Sequence, residues 1–227
     1  MKYLKKFATE EEYAAFVESG KMKRPNVSLV EEPFTTYYNK YIPLGVFIQH
    51  VDGTLYTEAN WTGGGFGNDE ANGVAVVTDN ARFVIAKNNL GKMVWSSNVS
   101  TAVDGIMLTS DEATAKTDFA GYNNTQLMLA TDTRGAGYSC ANFSFPNGDK
   151  GYLPALGELN EANANKSKID SLMTKIGGAK LQSNYYWSST QSISYQSWQL
   201  TWDSGNAAGS NKNNSSYDVR PFSALTL

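Results

Sequence analysis

The 227-residue chain has one cysteine, Cys140, and one histidine, His50. A lone cysteine excludes an intrachain disulfide and argues against a disulfide-framed extracellular module. Its default role is that of a small buried hydrophobe. One histidine and one cysteine are too few for a zinc site. His50 ends a predicted strand beside a hairpin turn, a place for a surface or structural residue, and no Ser-His-Asp set assembles around it. No apolar run approaches the roughly 20 residues that cross a bilayer, so no membrane insertion is expected. The formal net charge of -3 supplies no basic field and argues against nucleic acid as a partner. The N-terminus, MKYLKKFATEEEYAAF, has early lysines but no apolar run behind them, and is not read as a secretory signal. A protein of this kind working outside the cell is expected to leave without one, for instance inside an assembled particle.

Charge is also scarce in the last part of the chain, and what replaces it is informative. Residues 181–225 read LQSNYYWSSTQSISYQSWQLTWDSGNAAGSNKNNSSYDVRPFSAL. Asp203, Lys212 and Asp218 are the only charges before Arg220. Trp187, Trp198 and Trp202 stand among Ser, Asn, Gln, Tyr, Gly and Ala. A buried core is expected to use Leu, Ile and Val, and a solvated face Lys and Glu. Aromatic anchors among small hydrogen-bonding groups have the composition of a paratope, because Tyr and Trp give contact area for few frozen torsions. A Ser/Asn-rich surface on an ordinary β-domain has the same composition, and composition alone leaves both readings open.

Along the chain, Thr9-Glu10-Glu11-Glu12 reads as a helix start with a capping box, ended by Ser19-Gly20. Residues 26–30 alternate weakly as a strand, broken at Pro33. The 1–40 segment is too small for its own core and reads as an arm or attachment element. Residues 41–49 form a strand, with Asp52-Gly53 as the hairpin turn and 54–56 returning. Residues 61–67 read as a glycine loop without the Gly-Lys-Ser/Thr of a phosphate cradle. Residues 73–87 give two strands around Asp79-Asn80. Asp69-Glu70 and Asp79 read as turn residues. Ser110-Asp111-Glu112 caps a second helix running through Leu129. Residues 135–148 read as a loop, and Tyr152-Leu153-Pro154 starts a third helix, interrupted near residues 163–165. Ser167 caps a short helix that ends at Gly177-Gly178. Strands follow at 185–189, 197–202 and 217–225. Residues 41–227 therefore read as a single α+β domain. Within 197–203, Trp198, Leu200 and Trp202 share one face, which leaves Trp202 either core or a partly exposed anchor, with alternation favouring the core.

Tyr152-Leu153-Pro154, then Tyr186-Trp187-Ser188-Ser189-Thr190, Gly205 in the turn after a Trp-centred strand, and a closing Val219-Arg220-Pro221-Phe222 resemble the C-type-lectin-like fold. The resemblance covers about 140–225 and lies in the branch shared by formylglycine-generating enzymes and the variable proteins of diversity-generating retroelements. The variable proteins look closer. Their diversified residues lie near the C-terminus, and adenine-directed mutation turns Asn codons into Ser, Tyr, Asp, Thr, Ala, Gly and Ile. The N-terminal arm is similar to the starts of virion proteins from phages of gut Bacteroidales.

The resemblance implies a fixed frame of Trp187, Trp198, Leu200, Val219, Pro221 and Phe222, with a diversified stretch over about 185–218. The implied ligand-binding residues, facing outward between frame positions, are Gln191, Ser192, Ser194, Tyr195, Ser197, Gln199, Thr201, Asp203, Ser204, Asn206, Ala208, Ser210 and Asn211. It also implies a non-catalytic receptor-binding protein carried on a phage virion or tail. Its partners would be a bacterial surface receptor, protein or glycan, and other virion proteins met through the arm. An undiversified bacterial adhesin or fimbrial-tip-like domain at the cell surface is the alternative. An enzymatic reading has little to rest on. The formylglycine-generating enzymes use a pair of cysteines and this chain has one. The calcium-binding motifs of the wider fold are absent, Trp202-Asp203-Ser204 being a partial echo. No catalytic residue, metal or cofactor is expected.

Overall fold

A computed structural model describes residues 4–7, 37–40 and 43–225. The helix expected after Thr9 and the strand expected at 26–30 lie outside the described residues. β1 (Leu4–Phe7) and β2 (Tyr37–Lys40) pair antiparallel, both within the expected arm.

The hairpin signal at Asp52-Gly53 joins β3 (Gly45–His50) to β4 (Leu55–Tyr56). Gly53 takes φ 88°, and Thr54 N–H donates to Asp52 Oδ1 at 2.8 Å. The expected glycine loop is largely a helix, α1 (Glu58–Gly64). Thr57 caps it, Gly65 ends it at φ 68°, and Trp61 turns inward. β5 (Ala71–Val77) and β6 (Arg82–Ile85) form the second expected hairpin, and β7 (Gly91–Lys92) follows.

The expected second helix is two. α2 (Glu112–Ala115) starts on its Asp111 cap, and α3 (Gly121–Thr131) starts afresh after Asp118 has accepted the Ala120 N–H in a turn. The loop expected at 135–148 begins as α4 (Gly135–Asn142). Gly135 has φ 84°, and a side chain there would meet the Trp95 carbonyl oxygen at 2.6 Å. α5 (Leu156–Ala164) begins later than Tyr152, whose backbone is instead bonded in both directions to Phe222. α6 (Lys166–Lys175) follows the interruption at Asn165, so Ser167 lies inside the helix. The strands β8 (Tyr185–Ile193), β9 (Gln196–Thr201), β10 (Ala207–Asn211), β11 (Asp218–Val219) and β12 (Phe222–Ala224) complete the fold.

One sheet has the order β12-β6-β5-β3-β4 and the other β10-β9-β8-β11-β7. All pairs are antiparallel except β8 with β11. With its helices, the chain is an α+β protein, as its pattern of elements predicts. The main core joins Ile48, Val74, Val76, Phe83 and Ile85 to Leu156, Leu159 and Ile169, and to Tyr186, Trp198, Leu200 and Trp202. A second core packs Trp187 and Val219 with Trp95, Val103, Ile106, Met128, Cys140 and Leu153. Tyr186 and Trp187 point to opposite faces of β8, so the centre of the second sheet is covered on both sides. A third cluster, with Phe47, Val77, Val84 and Phe145, covers the other side of the first sheet.

Candidate functional site

The polar residues of β8 build a buried hydrogen-bond network. Ser188, Ser189, Thr190 and Gln191 are all fully buried. Ser188 Oγ donates to Trp198 O at 2.9 Å, and Thr190 Oγ1 donates to Asp118 Oδ2 at 2.8 Å while accepting from Leu156 N–H at 2.9 Å. Asn124 Nδ2 donates to Asp118 Oδ2 at 2.9 Å and to Ser189 Oγ at 3.2 Å. Next to them Glu158 accepts from Tyr152 OH at 2.9 Å and from Ala155 N–H at 2.8 Å. Burial pushes the Glu158 carboxyl up to about 8, with the Asp118 charge adding to the rise and the Ala155 and Tyr152 donors opposing it.

Two buried cations fix the ends of this sheet. Lys212 Nζ donates to Thr101 O at 2.8 Å, Gln191 Oε1 at 2.9 Å and Ser194 O at 2.9 Å, and lies 4.7 Å from the centre of the Trp95 ring. Its partners are neutral oxygens, and burial lowers its pKa to about 8. It ties the β8–β9 turn to the loop before α2. Arg220 is buried and donates to Asn89 Oδ1 at 2.6 Å, Ala86 O at 2.8 Å and Ala179 O at 3.0 Å. Its burial lowers its pKa to about 10. The Arg of the closing Val219-Arg220-Pro221-Phe222 thus ties the last strands to two loops.

Four residues expected to face a ligand are therefore interior. Gln191 spends its amide on Val103 N–H, Val103 O and Lys212. Ser192 is 7% exposed, beneath Gly209, where a side chain would meet its Oγ at 2.7 Å. Ser197 is buried and donates to Thr190 O at 2.6 Å. Gln199 is 4% exposed, paired across the strands with Trp187 and Ala208. Gln191, Ser197 and Gln199 share one reason: the second sheet has cover on both faces, so the polar side of the β8–β9 alternation is inside too, whereas Ser192 lies at the register shift between Gln191 and Ile193 and is covered by Gly209. The expected frame residues Trp187, Trp198, Leu200, Val219 and Phe222 are buried, and so is Trp202.

The remaining residues are at least partly accessible but do not converge on one point. Ser194 and Tyr195 form the exposed tip of the β8–β9 hairpin, with Tyr195 50% exposed. Asp203, Ser204 and Asn206 are exposed in the turn at the other end of β9. Asp203 follows Tyr195 by eight steps along the chain, about 26 Å at the usual rise of extended chain. Between these ends, Ala208 and Asn211 are exposed on β10, and Thr201 and Ser210 are half-buried.

The cross-strand register aligns Tyr185 with Thr201, Trp187 with Gln199 and Ala208, and Ser197 with Ser210. These positions share one face, and its outer part is open. Tyr185 is 43% exposed, with its ring 5.0 Å from that of Tyr217. Tyr217 packs in turn on Trp187 at 4.8 Å and receives a hydrogen bond from Ser210 Oγ at 3.1 Å. The sequence-derived ligand set misses Tyr185 and Tyr217. Alternation with the core residue Tyr186 was the available signal for Tyr185.

Elsewhere, His50 lies between Asp52, 3.0 Å from Nδ1, and Glu70, 3.5 Å from Nε2, against the ring of Phe66 at 5.3 Å. Cys140 is fully buried, and burial pushes its thiol pKa up. Among the described residues, no group of three or more His, Cys, Asp or Glu is placed to hold a metal ion. No described helix is long and apolar enough to cross a membrane.

No family model matches this chain, and no curated protein matches it. The crystal structure of a fimbrial protein from Bacteroides ovatus ATCC 8483 is similar in fold, with a TM-score of 0.54, 16% sequence identity and 81% of this chain covered. The match covers 49% of that fimbrial protein, so this chain spans about half its length.

Proposed function

We propose that this protein is a non-catalytic recognition domain of an adhesin-like surface protein, contacting its receptor through the outer face of β8 and β9 and the chain beside it. The observation that carries this reading is the open aromatic and polar face of Tyr185, Thr201 and Tyr217, standing on a sheet in which Ser188, Ser189, Thr190, Gln191 and Ser197 are internally bonded while the buried Gln199 Oε1 has no partner. Such a face can change its contacts with little effect on the bonded network of β8, whose side chains already have their partners. Its rings are held before any ligand arrives, Tyr217 by Trp187 and Ser210 and Tyr185 by Tyr217, which limits the entropy lost on binding. Fold similarity to part of a fimbrial protein favours surface display, and the receptor class remains protein or glycan on a bacterial cell.

The test is binding of the labelled protein to intact Bacteroidales cells. Y185A with T201A is expected to lower binding at least tenfold, since an aromatic anchor at a contact centre is worth about 2 kcal/mol. Unchanged binding by the folded double variant refutes the assignment of this face.

A second reading is favoured by the separation of exposed from buried polar residues. Ser194, Tyr195, Ser204, Asn206, Ala208 and Asn211 are all exposed. In this reading the protein has a C-type-lectin-like fold and is the variable protein of a diversity-generating retroelement, borne on a phage particle. It predicts a near-copy of the 3′ end of the gene, differing only at adenines, beside a reverse transcriptase. Related genomes that lack such a copy refute it.

A further inference from the structure

The two five-stranded sheets have four edges. β4 and β7 are two residues each, and β12 is three, with Tyr152 paired to Phe222. β10 is five residues long, and among the described residues no strand pairs with its outer side, although Asn211 O accepts from Asn214 N–H at 2.9 Å in the turn that follows. Thr201 N–H donates to Asn206 O and Lys212 N–H to Tyr195 O. The alternation between those bonds turns the peptide groups of Ala208 and Ser210 toward β9 and those of Ala207, Gly209 and Asn211 outward. Ala208, Gly209 and Asn211 are exposed.

Sheets usually guard such an edge with lysine, proline, a bulge or extreme shortness. Three of the edges here are short. β10 is not, and neither a charge nor a proline stands between Asp203 and Lys212. Lys212 occupies the position of a guarding lysine but turns its ammonium inward to Thr101, Gln191 and Ser194.

We infer that the β10 edge pairs antiparallel with the β10 edge of a second copy of this chain, around a two-fold axis. A peptide from another protein added as a strand draws its specificity from pockets for alternate side chains. β10 offers Ala, Ala, Gly, Ser and Asn, which form no such pockets. A second copy brings the same small neutral residues, so no like charges meet, and both partners present the self-complementary surface that two-fold pairing needs. Such an edge covers far less than the roughly 1,200 Å² of a standard stable interface, so the dimer is weak. Pairing joins two five-stranded sheets into one.

Sedimentation velocity on the full chain, from about 5 μM to about 1 mM, tests the pairing at concentrations suited to a weak interface. The wild type is expected to shift from monomer to dimer, and exchange of the outward amides of residues 207, 209 and 211 is expected to slow at high concentration. A207P removes one outward N–H without touching the β9 ladder, and A208K restores a guarding charge at an exposed position. Each is expected to raise the dimer dissociation constant at least tenfold. If A207P fails to fold, A208K carries the test. A chain monomeric at about 1 mM, or a dimer that A208K leaves unchanged with its outward amides unprotected, overturns the inference.

Discussion

Replacing Lys212 by methionine isolates the buried ammonium that holds the β8–β9 turn. The substitution keeps most of the side-chain volume and removes the donors to Thr101 O, Gln191 Oε1 and Ser194 O. Gln191 Oε1 keeps Val103 N–H, and leaving the part-buried Thr101 O and Ser194 O unpaired at about 2 kcal/mol each costs about 4 kcal/mol. Against this, the wild type bears the cost of burying a charge. The fall in pKa from 10.5 to about 8 corresponds to about 3 kcal/mol below pH 8. The net loss below pH 8 is therefore about 1 kcal/mol, a fall in Tm of about 2–4 °C for a chain of this size. The pH dependence has a definite sign. Between about 8 and 10.5 the unfolded chain holds a proton that the folded chain has released, so this residue's contribution to wild-type stability rises with pH in that window. The gap between wild type and K212M, measured by thermal unfolding at pH 7 and pH 10, should widen. Amide exchange in residues 98–106 and 191–197 should speed up in the variant. A Tm equal to that of wild type and a gap that does not change with pH would show that the ammonium does not hold the turn.

Further predictions concern other parts of the network and surface. Folded Glu158 keeps its proton up to about pH 8, whereas the unfolded carboxyl loses it near 4.5, so its contribution to stability falls as pH rises through that interval. The stability of the wild type relative to E158Q should drop between pH 5 and pH 8 by several kcal/mol, and thermal unfolding at both pH values checks it. R220K keeps the charge but cannot reach Asn89, Ala86 and Ala179 together, and chemical denaturation should show a loss of about 2–4 kcal/mol. S197V removes the hydroxyl bonded to Thr190 O and should cost about 1–2 kcal/mol, whereas Y195A at the exposed tip should stay within about 0.5 kcal/mol, a contrast that urea titration resolves.

The parts of the fold read well from sequence are those with a local cause. Asp52-Gly53 and Asp79-Asn80 mark the two early hairpins, Asn165 marks the break between α5 and α6, and alternation with Trp198 and Leu200 places Trp202 inside. What sequence hides depends on distant partners. α4 begins Gly-Ala-Gly, with no capping side chain, and sits where it does because Gly135 approaches the Trp95 carbonyl oxygen. The burial of Gln191 and Ser197 was not legible, since alternation along one strand shows two faces but not what covers them. Polar residues suit a sheet centre when Asp118, Asn124 and Lys212 wait there to bond them. Tyr185 stands at the very start of the expected diversified stretch, where alternation with Tyr186 turns it outward, and the register to Thr201 places it on the open face.

All five indoles are interior, the most accessible being Trp198 at 5%. Intrinsic fluorescence therefore reports the integrity of the globule and is nearly blind to events on its outside. Loss of structure should shift emission strongly to the red, while a receptor docking on Tyr185 should leave the spectrum almost unchanged. Spectroscopic binding measurements on this molecule need a label placed on the outer surface, for instance at Ser204.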